Sequence, residues 1–71
     1  MKYREFERIL LDHGFVLVRT KGSHKQFRGV VDGVTRLATL DYSQPGEDVL
    51  PRNLKSMIRQ SGLSERLFRK R

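Results

Sequence analysis

The dipeptide Asp32-Gly33, set mid-chain between two β-rich runs, constrains the fold more than any other feature. A two-residue type I′ turn needs positive φ at both central positions, and Asp-Gly reaches it at low cost. Residues 24–31 and 34–40 are then the arms of an antiparallel hairpin. Phe15-Val16-Leu17-Val18-Arg19 is a short β-rich run ahead of it, and Lys21-Gly22-Ser23 breaks the chain between the two. The centre reads as a three-stranded antiparallel meander.

Both flanks read as helix. Tyr3, Phe6, Ile9 and Leu10 repeat at the i, i+3, i+4 spacing of one helical face. Asp12-His13-Gly14 ends that helix, with Gly14 suited to a left-handed C-cap and His13 to the last turn, where a cation complements the helix dipole. His13 therefore has a structural explanation. Residues 41–48 form a polar, acidic loop around Pro45-Gly46, expected to stay away from phosphate. Pro51 fits the first turn of a second helix, and Leu54, Met57 and Ile58 give it an apolar stripe. Ser61-Gly62-Leu63 closes it, and Ser64 is placed to cap a last short turn through Leu67 and Phe68.

The expected architecture is α+β: α-β-β-β-α, with a three-stranded antiparallel sheet and two helices on one face. Phe6, Ile9, Leu10, Leu54, Met57 and Ile58 supply the helical side of the core. A chain of 71 residues is one domain, 1–71, with its core in 2–63 and a basic C-terminal tail in 64–71, frayed at Arg69-Lys70-Arg71. A chain this short buries only about 60% of its unfolded surface. It has no cysteine, which excludes disulfides and thiolate metal sites. No apolar run approaches the ~20 residues that span a bilayer. The N-terminus mixes charges of both signs and lacks the apolar stretch of a secretory signal, so the expected location is cytoplasmic.

Charge narrows the partners. Residues 1–13 are neutral, 14–31 carry +4, 32–50 carry −3 and 51–71 carry +6, for a net +7. Ten of the 15 basic residues are arginine, whose planar fork suits phosphate. Two basic blocks around an acidic stretch fit a polyanion, and an anionic partner protein fits them as well.

Most catalytic templates are missing. There is no P-loop, GxGxxG, HExxH or GxSxG. The segment that resembles a site is Arg19-Thr20-Lys21-Gly22-Ser23-His24-Lys25. Lysines on either side of His24 disfavour its imidazolium form, and a neutral ring accepts protons. Lys21, Lys25 or Arg28 can then hold a phosphate beside it. The same residues also describe an exposed strand histidine with no chemical task.

The run Gly14-Phe15-Val16-Leu17-Val18-Arg19-Thr20-Lys21-Gly22-Ser23-His24-Lys25-Gln26-Phe27 resembles the signature G-[WF]-x-x-x-R-x-x-G-S-H-x-x-[FY] of HicA toxins. These are the small mRNA interferases of HicAB toxin–antitoxin systems. Gly46-Glu47-Asp48-Val49-Leu50 and Leu54-Lys55-Ser56-Met57-Ile58-Arg59-Gln60-Ser61-Gly62-Leu63 resemble the family's closing helix. The likeness runs over roughly residues 2–63. Two features depart from it: Leu40-Asp41-Tyr42 stands where the family often has a proline or histidine, and the basic tail is no family hallmark.

The resemblance implies a double-stranded-RNA-binding-domain-like fold, ribosome-independent cleavage of mRNA, and neutralisation by a HicB-like antitoxin. It maps the catalytic histidine onto His24, with Gly22 and Ser23 shaping the turn before it. Arg19, Lys21, Lys25 and Arg28 are the expected RNA-binding residues. No metal and no cofactor is implied, because RNA carries its own nucleophile in the 2′-hydroxyl. Two rivals remain: a non-catalytic RNA-binding module of the same fold, and a basic interaction protein for an acidic partner.

Overall fold

The computed structural model describes residues 1–69; Lys70 and Arg71, two of the three residues for which fraying was expected, lie outside the described residues. The chain runs α1 (Tyr3–Asp12), β1 (Val16–Lys21), β2 (His24–Val31), β3 (Val34–Asp41), α2 (Pro51–Ser61) and a short 3₁₀ turn (Glu65–Phe68). The strands form one antiparallel sheet in the order β1-β2-β3. This is the α-β-β-β-α fold expected from the pattern, and it is compatible with a double-stranded-RNA-binding-domain-like arrangement.

The Asp32-Gly33 turn behaves as its chemistry demands. Both residues have positive φ, 51° and 78°, and the hairpin pairs without slippage from Val31↔Val34 out to His24↔Asp41. Alternation then sorts β2 and β3 onto two faces. Phe27, Ala38 and Leu40 are buried against the helices, whereas Val30 and Leu37 are 63% and 48% exposed on the other side. One face of the sheet is core and the other is open.

Each helix is anchored by contacts that lie outside it. The first N–H groups of a helix have no intrahelical acceptor. In α1, Tyr3 and Arg4 donate theirs to the carbonyls of Glu47 and Pro45, both at 3.0 Å, so the loop after β3 caps the first helix. The Lys2 N–H reaches the Glu5 carboxylate at 2.7 Å. At the far end His13 is the C-cap, its Nδ1 2.8 Å from the Ile9 carbonyl, in agreement with the structural role expected for it. Helix α2 begins at Pro51 and ends on Gly62 in the left-handed conformation. Buried Ser61 satisfies its hydroxyl twice, donating to the Ile58 carbonyl at 2.7 Å and accepting from the Leu63 N–H at 3.1 Å. Gln60 of α2 accepts the outward-facing N–H of Thr39 at 3.1 Å, which occupies part of the free edge of β3.

The core follows the expected stripe and exceeds it. Phe6, Leu10 and Met57 are buried, while Ile9, Leu54 and Ile58 are partly buried against them. Phe15 lies over Gly29, where an added Cβ would stand 2.6 Å from the ring, so β2 needs glycine at that point. Ser64 caps the 3₁₀ turn by accepting from the Arg66 N–H. That turn delivers Phe68, 4% exposed, onto Phe6 with ring centroids 4.6 Å apart. The buried cluster therefore continues past residue 63 into a segment rich in basic residues.

Candidate RNA-cleavage site on the open sheet face

Gly22-Ser23 is a two-residue turn joining β1 to β2, with positive φ at Gly22 (60°) and not at Ser23. That is the type II′ pattern, which favours glycine at the first central position. The sequence break at Lys21-Gly22-Ser23 is thus a tight hairpin, and Lys21 still belongs to the strand. The turn sets His24 at the first position of β2, directly opposite Lys21 on one side and Asp41 on the other. His24 is 64% exposed and Asp41 59%, so both are open to a large ligand.

A bulge in β1 decides which basic residues share this face. Phe15, Leu17, Arg19 and Lys21 are odd-numbered, and strict alternation would send all four to one side of the sheet. Phe15 is buried beneath the sheet, so the lysine and arginine would follow it. Instead the register shifts between Leu17 and Arg19, leaving Val18 as the extra residue. One extra residue reverses the alternation. Arg19 pairs with Gln26 and Lys21 with His24 on the open face, and the aromatic ring still reaches the core. Arg19, Lys21, His24, Gln26 and Thr39 line a shallow depression of about 180 Å³ there.

Lys25 is not brought to this face. Its ammonium lies 4.1 Å from the centroid of Tyr42 and 3.3 Å from the Tyr42 carbonyl. It flanks His24 in sequence but not in space. Arg28 has the parity of His24 and lies four residues along β2, roughly 13 Å away at strand rise.

Tyr42 anchors the end of β3 from beneath. Its ring stacks on Tyr3 of α1 at 4.8 Å, and its hydroxyl donates to the Glu7 carboxylate. Burial, the hydrogen bond to Glu7 and the charge of Glu7 all push its ionisation far up, so the phenol stays a protonated donor. The Tyr42 N–H donates to the Ser23 carbonyl at 3.0 Å. Both sides of the His24 turn are thereby tied to the helical layer.

Asp41 was assigned above to an acidic loop set apart from phosphate, and here the structure differs. It is the last residue of β3, with Oδ2 3.4 Å from His24 Nε2 and Oδ1 accepting from Ser23 Oγ at 2.5 Å. The signal was present in the sequence. Counting outward residue by residue from the Asp32-Gly33 turn brings Asp41 opposite His24. Among the described residues no cluster of three or more His, Asp or Glu is arranged to hold a metal ion.

A small basic α-β-β-β-α domain with one histidine at a Gly-Ser turn on its bare sheet face defines the class. The family model for the HicA toxin of bacterial toxin–antitoxin systems matches residues 3–63, and the chain belongs to that family. Membership implies an antitoxin partner. No curated protein and no solved structure matches the chain significantly. Among the described residues no helix is long and apolar enough to cross a membrane.

Proposed function

We propose that this toxin is an endoribonuclease that cleaves mRNA without a metal, uses His24 as its base, and is neutralised by a HicB-like antitoxin. The observation that carries the reading is the exposed His24 at a GSH turn, on a face where a bulge turns Arg19 and Lys21 toward it. The GSH segment favours an enzyme over a pure RNA-binding module, because a binder gains little from one imidazole held in such a turn.

The chemistry needs few groups. A neutral His24 nitrogen takes the proton of the RNA 2′-hydroxyl as the 2′-oxygen attacks phosphorus. The bond from phosphorus to the 5′-oxygen breaks, and that oxygen takes a proton from water. The products are a 2′,3′-cyclic phosphate and a 5′-hydroxyl. Lys21, directly across the strand pair, and Arg19 beside it stabilise the charge on the non-bridging oxygens. Arg28 serves a neighbouring phosphate. Gly22 and Ser23 shape the turn. Lys25, committed to Tyr42, supports the site from below. On this reading the enzyme works in the cytoplasm, and its antitoxin covers the open face and the His24 turn.

Binding tests the electrostatic half of the reading. With about three phosphate contacts to single-stranded RNA, affinity is expected to fall roughly ten- to thirty-fold between 50 and 200 mM salt. The measurement is fluorescence anisotropy of a labelled oligonucleotide on the His24→Ala chain, which does not consume its ligand. Lys21→Ala and Arg19→Ala are each expected to weaken binding and flatten the salt slope by about 0.7. Affinity independent of salt would sink the RNA assignment and leave the interaction-protein alternative.

A further inference from the structure

We propose that Asp41 is a positioning residue for His24, braced by Ser23, so that the site is a carboxylate–imidazole pair and not a lone histidine. The inference rests on the reading of His24 as the base; Asp41 acts through His24.

The geometry divides the carboxylate between two partners. Oδ1 accepts a hydrogen bond from the Ser23 hydroxyl at 2.5 Å, and Oδ2 faces His24 Nε2 at 3.4 Å. The backbone holds all three in place, since His24 and Asp41 are paired across β2 and β3 and the Tyr42 N–H binds the Ser23 carbonyl. The 3.4 Å separation is long for a hydrogen bond, and such contacts tighten when substrate fills a site. An ionised carboxylate only accepts hydrogen bonds, so the ring nitrogen facing it is the one that carries the proton. A neutral imidazole has one N–H and one lone pair. Asp41 therefore fixes Nε2 as the donor and leaves Nδ1 as the base.

The charge balance of the face argues the same way. Asp41 is an acid on a surface that otherwise gathers Arg19 and Lys21 toward a polyanion. A carboxylate there opposes phosphate binding. Its presence beside the histidine is explained by what it does to the ring.

This yields a test that a merely structural role fails. Removing the acid relieves repulsion, so KM for an RNA oligonucleotide is expected to stay or fall in Asp41→Ala, while kcat drops about ten-fold or more. Asp41→Asn keeps an acceptor for Nε2–H without the charge and is expected to recover part of kcat. Independently of RNA, the two ring nitrogens of His24 are read by ¹⁵N NMR at a pH where the ring is neutral. The native chain is expected to show one protonated and one bare nitrogen with widely separated shifts, drawn together in Asp41→Ala as the tautomers mix. Circular dichroism checks that both variants fold. Unchanged or increased kcat together with unmoved ring shifts overturns the pair while leaving His24 as the base. Cleavage by His24→Ala at the native rate instead overturns the function reading, and the ring shifts still report on the pair.

Discussion

His24→Ala is expected to abolish growth arrest and to lower RNA cleavage by about 10²–10⁴-fold, the usual loss when a positioned acid–base group is removed. The fold should survive. The side chain is 64% exposed and its polar contact is to Asp41 on the same open face, so truncation should change stability by under ~0.5 kcal/mol. His13→Ala is the control. It loses only a contact to the Ile9 carbonyl at the end of α1, on no part of the site, and should remain toxic. The comparison is growth arrest by the two variants at equal soluble expression, with the product ends analysed in parallel. The native chain should leave a 2′,3′-cyclic phosphate on its RNA, and a chelator should not slow it. An active His24→Ala chain would falsify the assignment and return the protein to the binding-module class.

How far the site could be read in advance depended on which kind of information set each residue. Local turn chemistry was legible. Asp32-Gly33 and Gly22-Ser23 need positive φ at defined places, and those needs are written in the residues themselves. From the first turn, the pairing of β2 with β3 follows by counting, and the position of Asp41 follows with it. The helices were legible because their apolar stripes match the helical period. The bulge at Val18 was not. Val16-Leu17-Val18 has no glycine or polar residue to mark an interruption, and the bulge resolves a conflict between distant demands. Phe15 must enter the core over Gly29, and Arg19 and Lys21 must stay out of it. Burying two cations costs far more than one unpaired strand residue. The placement of Lys25 follows from the complementary reason. Neighbours in a strand point to opposite faces, so sequence adjacency to His24 placed it on the other side of the sheet.

Phe68→Ala is expected to cost about 3–5 kcal/mol, the range for truncating a buried aromatic side chain. The residue is 4% exposed and stacks on Phe6, itself fully buried. A 71-residue domain has roughly 4–10 kcal/mol of stability in total, so the loss is a large part of it. The basic residues around Phe68 act differently. Arg66 and Arg69 are exposed, so Arg66→Glu and Arg69→Glu should weaken RNA binding while changing stability by under ~0.5 kcal/mol each. The segment after α2 thus carries two separable functions on opposite sides: one apolar side chain that closes the core, and charges that face solvent. Urea unfolding separates them, ideally in the His24→Ala background so that toxicity does not limit expression. Phe68→Ala should lower the midpoint at an unchanged slope, whereas the charge reversals should leave the midpoint in place. A Phe68→Ala midpoint indistinguishable from that of its parent would mean that the 3₁₀ turn is not part of the folding core.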